Sequence, residues 1–251
     1  VPDTQRVSPA APLKAPPAAP GLYRKGRRVV GYTLRSLVAA TRLDFDRAHG
    51  VDTHDDVRLR ELLTEPIHDA HGRSRYWPIA VKHFHFAMGL VPRPLERWSF
   101  LDVGSGKGRA VLLAMGYPFR EVAGVELSPA LHATAQRNLQ RYVGPRRCGR
   151  VQLQLGDATR AVLPAGDLVA FLYNPFVGED LRGFLDHLEE SLRQAPRQLL
   201  LVYSNPMGRA ALEGRPGFRL LFEGNSPMDP LRPGVRRLAV YGAGLAAPAQ
   251  G

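Results

Sequence analysis

Between Phe100 and Gly108 the chain reads Phe-Leu-Asp-Val-Gly-Ser-Gly-Lys-Gly, an apolar run that passes straight into an acidic, glycine-dense turn. The run predicts a buried strand ending at Val103. Glycines at alternate positions, Gly104, Gly106 and Gly108, let the backbone turn tightly and approach a ligand as no side chain would permit. A helix is expected to open at about Gly108 and to reach Gly116. Strand, glycine turn and helix in this order mark a candidate nucleotide-cofactor loop. The dinucleotide form requires a third glycine where Arg109 stands. The P-loop form requires glycine where Leu101 stands and a hydroxyl residue where Gly108 stands. Neither fits.

Three further polar points follow at the ends of apolar segments. Val122 to Glu126 is a second short strand whose carboxylate lies 24 positions after Asp102. At about that separation in a doubly wound sheet, an acid accepts hydrogen bonds from ribose hydroxyls; its plain alternative is a solvated acid ahead of a Ser128 helix cap. Gly156-Asp157-Ala158 follows the alternating segment Val151 to Leu155, which predicts a strand with one wet face or one near an edge. Asp157 is open to reading as an ordinary turn acid. Leu168 to Tyr173 is a continuous apolar run, as a central parallel strand requires, and it ends in Asn174-Pro175-Phe176. Ligands of open α/β sheets bind beyond such strand ends, although Asn and Pro also serve simply to stop a strand.

The acid-x-Gly-x-Gly-x-Gly pattern of Asp102, Gly104, Gly106 and Gly108 resembles the first motif of class I S-adenosylmethionine-dependent methyltransferases. Glu126 and Asp157 fall where that family holds the ribose and the adenine amino group. The resemblance implies cofactor contacts from Asp102, Gly104, Ser105, Gly106 and Gly108, from Glu126 and Leu127, from Asp157 and Ala158, and from Asn174. Asn174-Pro175-Phe176 is similar to the Asn-Pro-Pro-aromatic motif of amino-group methyltransferases with one proline missing, which implies that Asn174, Pro175 and Phe176 face the methyl acceptor. An Asn oxygen and a backbone carbonyl hold a nitrogen nucleophile, and an aromatic face suits a sulfonium or ammonium. Because the methyl donor is already activated, positioning and exclusion of water supply most of the rate.

The rest of the chain agrees with an α/β, Rossmann-like, seven-stranded and mostly parallel sheet. Glu179 to Gln194 carries Leu181, Phe184, Leu185, Leu188 and Leu192 at a helical period. Leu199 to Tyr203 reads as a fifth parallel strand, ended by Asn205-Pro206. Phe218 to Phe222 and Arg237 to Tyr241 read as a closing antiparallel pair, joined by a long loop from Gly224 to Arg236. The cofactor domain is placed at 96–245, a helical N-terminal cap of three helices at 29–95, and a disordered tail rich in Pro and Ala, with a basic cluster from Arg24 to Arg28, at 1–28. Leu34, Leu37, Val38 and Leu43 form the apolar face of the first cap segment.

Asp44-Phe45-Asp46 and Gly50-Val51-Asp52-Thr53, with Gly-Ser-Gly-Lys-Gly-Arg and Tyr-Asn-Pro-Phe, resemble bacterial methyltransferase-like proteins of unassigned substrate. The cofactor domain of that group is similar to that of the non-SET histone-lysine methyltransferases. Tyr76 and Trp77 are candidate lining residues, with simple core packing as the alternative.

The net charge of +11 comes from arginines scattered through the chain, with a smaller cluster at Arg146-Arg147-Cys148-Gly149-Arg150. No aromatic stacking platform accompanies these runs, so a protein or small-molecule acceptor is favoured over nucleic acid. Cys148 is the only cysteine, which excludes an intrachain disulfide and a thiolate zinc cluster. His83 and His85, two apart, point to different faces of a helix, and no metal is expected. The first residue, Val1, points to a trimmed or processed end; with no apolar signal core or membrane-length run, a soluble cytoplasmic enzyme is expected. An aminopropyl transferase on the same fold and a non-catalytic cofactor sensor or nucleic-acid module are the rival readings.

Overall fold

The computed structural model describes residues 45–54, 57–58, 75–226 and 237–244. The expected tail, the Arg24 to Arg28 cluster, the Leu34 to Leu43 segment and most of the late loop lie outside the described residues. Seven strands form the main sheet: β3 (Trp98–Val103), β4 (Glu121–Glu126), β5 (Val151–Leu155), β6 (Asp167–Tyr173), β7 (Leu199–Ser204), β8 (Arg219–Asn225) and β9 (Arg237–Ala243). Their spatial order is β5-β4-β3-β6-β7-β9-β8. The first five strands run parallel, and β9 is antiparallel to both β7 and β8. This is the seven-stranded, mostly parallel Rossmann-like sheet that the resemblance implied, with the closing antiparallel pair in place.

Burial explains the strand assignments. β3, β4 and β7 are buried along their whole length, as strands covered on both faces must be. On β3, Phe100 joins one core and Leu101 the other; on β6, Phe171 and Leu172 divide in the same way. β5 is an edge strand whose burial is only partial, which accounts for its alternating sequence. Gly124 in β4 lets the neighbouring layer approach, because a Cβ there would lie 2.8 Å from Val111 Cγ2.

Helix α1 (Val81–Met88) covers one face. Phe84 sits edge-on to Phe100 and Phe171 at 5.8 and 5.5 Å. Helix α2 (Arg109–Ala114) is buried throughout. Helix α3 (Pro129–Arg141) starts with Pro at its first turn and with the Ser128 hydroxyl accepting from Leu131 N. Helix α4 (Gly178–Gln194) buries Leu181, Phe184, Leu185 and Leu188 on the opposite face.

Of the expected helical cap, residues 45–54, 57–58 and 75–95 are described. Its described part holds a helical turn at 45–49, a two-stranded antiparallel ribbon of β1 (Val57–Arg58) and β2 (Arg75–Tyr76), and α1. Tyr76-Trp77-Pro78 explains the ribbon: aromatic residues favour strands, and a proline biases the residue before it out of the helical region. His83 and His85 divide as their spacing requires. His83 Nε2 is buried 2.6 Å from Ser204 Oγ, while His85 Nδ1 meets the Tyr117 hydroxyl at 2.6 Å.

Candidate active site

The chain leaves β3 toward β4 on one side, and after β5 it crosses back to add β6 on the other. The carboxyl ends of β3 and β6 therefore flank a topological switch point, where open α/β sheets bind ligands. A cavity of about 560 Å³ lies there, within the size range of small-molecule sites. Its wall brings together Asp102, Gly104, Ser105 and Gly106 from the glycine turn, Glu126 and Leu127 after β4, Asp157 and Ala158 after β5, and Asn174, Pro175 and Phe176 after β6. Tyr76 and Trp77 also line it. Gly108 does not. It sits at the N-terminus of α2 with φ of 87°, and a Cβ there would lie 3.2 Å from that of Ala135, so this glycine serves the turn and the helix packing.

The turn is tied down from β4. Gly104 N and Ser105 N both donate to Val125 O, at 3.0 and 2.9 Å. The Glu126 carboxylate, 5% exposed, accepts from Gly106 N at 2.7 Å and from Ser128 N at 2.8 Å. One side chain thus fixes both the glycine turn and the start of α3. Gly104 and Gly106 have φ of 71° and 55°, and their bare faces are met by protein atoms. A Cβ on Gly104 would lie 2.5 Å from that of Pro175, and one on Gly106 would lie 2.3 Å from the Tyr76 ring. The Tyr76 hydroxyl donates to Thr53 O at 2.9 Å, and burial pushes its phenol pKa up, so it stays a neutral donor.

Asp102 is buried beneath the turn, and burial, with Glu126 adding to it, pushes its carboxyl up to about 8. In the unfolded chain this acid ionises near 4, whereas in the folded chain it holds its proton to about 8, so stability is lost as pH rises between the two values. An Asp102→Asn variant is expected to match the wild type near pH 4 and to exceed it increasingly up to pH 8 in urea melts. A constant difference across that range would show that Asp102 does not titrate in this way.

Asp157 is held as a turn acid, its Oδ1 accepting from Thr159 N at 2.8 Å, and it still faces the cavity. Phe176 packs edge-on against Phe184 at 6.0 Å, so it joins the cavity wall to the α4 core. Asn174 has φ of 49°; its Nδ2 lies 3.4 Å from Met207 Sδ, and its Oδ1 lies 3.5 Å from the Tyr203 hydroxyl.

The sequence reading missed a buried ionic network behind the turn. Arg109, 2% exposed, places Nη2 3.0 Å from Asp46 Oδ1, donates from Nε to Thr53 Oγ1 at 2.6 Å, and lies 5.1 Å over the Phe45 ring. Lys107 Nζ meets Asp52 Oδ1 at 3.1 Å, and Asn138 donates to the carbonyls of Asp52 and Lys107. The available signal was the pairing of two cations in the glycine turn with the acids of Asp44-Phe45-Asp46 and Gly50-Val51-Asp52-Thr53. Asp46, Asp52 and His54 are close enough together to suggest a metal site, but Arg109 and Lys107 supply their positive charge.

No protein-family model matches this sequence, and no curated protein does. Among solved structures, the chain is similar to precorrin 8W decarboxylase from Methanobacterium thermoautotrophicum, at 21% identity over 67% of this chain and 92% of that one, with a TM-score of 0.44. It is similar to ribosomal protein L11 methylase from Lactobacillus delbrueckii subsp. bulgaricus, at 17% identity, 64% and 76% coverage and a TM-score of 0.45. It is also similar to magnesium protoporphyrin IX methyltransferase from Synechocystis, solved with bound SAM, at 16% identity, 87% and 99% coverage and a TM-score of 0.43. The fold assignment stands on the sheet order itself. Among the described residues, no helix is long and apolar enough to cross a membrane.

Proposed function

We propose that this chain is an S-adenosylmethionine-dependent methyltransferase whose acceptor atom is a nitrogen of a protein or small molecule. The observation that carries the reading is the convergence, on one switch-point cavity, of the glycine turn, the Glu126 carboxylate, Asp157 and the Asn174-Pro175-Phe176 strand end. The donor set fits this cofactor in kind. Asp102, Glu126 and Asp157 are acids, and among the described residues the wall's one basic side chain, Arg109, is paired with Asp46. Such a surface suits a ligand bearing an ammonium and a sulfonium and disfavours a phosphate.

In this reading Glu126 holds the ribose, Asp157 the adenine edge and the glycine turn the methionine end. Pro175 and Tyr76, which press on Gly104 and Gly106, pack against the turn at that end of the cavity. Bound there, the cofactor supplies a sulfonium methyl, whose transfer forms the new nitrogen–carbon bond as the carbon–sulfur bond breaks with its electron pair going to sulfur. Asn174 aims the nucleophile, whose displaced proton leaves to water.

Calorimetric titration of the full chain with S-adenosylmethionine and S-adenosylhomocysteine tests the reading. Binding of both, with uptake of labelled methyl by an amine-bearing acceptor, is the expected result, and binding of neither to the folded chain would sink it. Asp102 supplies a second signature: an ammonium bound beside it lowers its pKa from about 8, so binding at pH 7 releases a proton, seen as a dependence of the apparent enthalpy on buffer.

Asp180 on the cavity wall is the one observation that favours aminopropyl transfer, since that chemistry needs acids for a cationic diamine. An acid in the first turn of α4 is also what the helix dipole favours. Release of methylthioadenosine from decarboxylated cofactor and a diamine would select that rival.

A further inference from the structure

We propose that Asn205 is a second acceptor-holding residue, and that Asn174 and Asn205 together select an unsubstituted –NH2 group as the nitrogen to be methylated. The proposal rests on the methyltransferase reading above.

Among the described residues, the non-glycine positions with positive φ are Asn174, at 49°, and Asn205, at 51°. Each immediately precedes a proline, and each immediately follows a strand end. Those strands are neighbours, with Tyr173 of β6 paired in register to Ser204 of β7. The two asparagines therefore leave the sheet side by side, about 5 Å apart by the spacing of paired strands. Both line the cavity. Glycine would meet the left-handed geometry without steric cost, so a turn alone does not call for two carboxamides here.

Their surroundings leave oxygen atoms available. The Asn205 backbone is fixed, with N donating to Arg237 O at 2.8 Å and O accepting from Met207 N at 2.7 Å. Its side chain makes no hydrogen bond among the described residues. Asn174 turns Nδ2 to the Met207 sulfur, and its Oδ1 is only at the limit of reach of the Tyr203 hydroxyl, which itself accepts from Gly208 N at 3.1 Å.

Two carbonyl oxygens side by side accept both N–H bonds of one –NH2 group, which leaves its lone pair pointing away from the pair of acceptors. A secondary amine or a hydroxyl leaves one oxygen unsatisfied, and a buried polar group without a partner is penalised. Phe176, standing where the amino-group motif has its second proline, packs against Phe184; Asn205 provides the second oxygen from the adjacent strand.

The test uses S-adenosylhomocysteine and sinefungin, the cofactor analogue with an amine on carbon in place of the sulfonium methyl. That amine is aimed at the acceptor pocket. Binding constants are measured on the full chain as wild type, Asn205→Gly, Asn205→Asp and Asn174→Gly. Glycine removes the carboxamide while keeping the left-handed backbone, and aspartate restores an acceptor oxygen. Sinefungin is expected to bind the wild type more tightly than S-adenosylhomocysteine. Asn205→Gly should weaken sinefungin about ten-fold and leave S-adenosylhomocysteine unchanged, with recovery in Asn205→Asp, and Asn174→Gly should weaken sinefungin more than it weakens S-adenosylhomocysteine. An unchanged ratio in Asn205→Gly, with S-adenosylhomocysteine still bound, overturns the proposal alone. Failure of both compounds to bind the folded wild type overturns the methyltransferase reading and this proposal together.

Discussion

An Arg109→Met variant is expected to lose about 3–5 kcal/mol of stability, because removing one partner of a buried ion pair strands the other charge. Asp46 is 5% exposed. It receives the Arg109 guanidinium at 3.0 Å, the Thr53 amide at 2.6 Å and the Thr53 hydroxyl at 2.5 Å. The last two are neutral donors and do not balance the charge. His54 Nδ1 lies 3.1 Å from Asp46 Oδ2. Joining Arg109→Met with Asp46→Leu removes the stranded carboxylate and should recover most of the loss, since a hydrophobic pair of similar volume is often neutral or better in such a place. Urea midpoints of the four chains provide the double-mutant cycle. If Arg109→Met melts within about 1 kcal/mol of wild type, the ion pair is not what ties the 45–54 segment to α2. Lys107 to Asp52 is the weaker tie, because Asp52 is 56% exposed and its charge is already solvated.

The same network shows what the sequence could and could not convey. β3, β6, β7 and α4 were legible because their patterning is local: a run of buried residues, or one apolar stripe, names the element without knowledge of its neighbours. The glycine turn and Glu126 were legible because their spacing within one strand-helix-strand unit is itself geometry. The Arg109 to Asp46 pair spans 63 positions, and the only sequence signal, cations at one place and acids at the other, carries no spacing that joins them. In sequence Gly104 and Gly106 imply room for a ligand, whereas in the fold their faces meet Pro175 and Tyr76, contacts that arise only once β6 and the ribbon are placed. In sequence Asn205 is a strand stop; its neighbour Asn174 lies 31 positions away and becomes adjacent only through the pairing of β6 with β7. Local periodicity thus carried the elements, and the chemistry assembled between elements appeared with the fold.

A Glu126→Ala variant is expected to lose about 100-fold or more in affinity for S-adenosylhomocysteine, since two charge-assisted hydrogen bonds and the ribose acceptor are removed together. The loss has two separable sources. Gly106 N and Ser128 N, now 2.7 and 2.8 Å from the carboxylate oxygens, are left without their acceptor, and the turn loosens. The ligand also loses a carboxylate for its hydroxyls. Glu126→Gln distinguishes them: its single carbonyl oxygen satisfies one amide, but its NH2 group faces the other, donor against donor, so the turn is half restored. Affinity midway between wild type and Ala indicates that holding the turn is the larger part. Affinity equal to that of Ala indicates that the ribose contact is. A readout independent of ligand accompanies both variants. Burial raises Asp102 first, and the Glu126 charge adds to it, so neutralising Glu126 lowers the Asp102 pKa from about 8. The pH range over which stability falls, from near 4 upward, then ends at a lower pH than in the wild type. Affinity within about three-fold of wild type in the Ala variant would place the ribose elsewhere and remove Glu126 from the site.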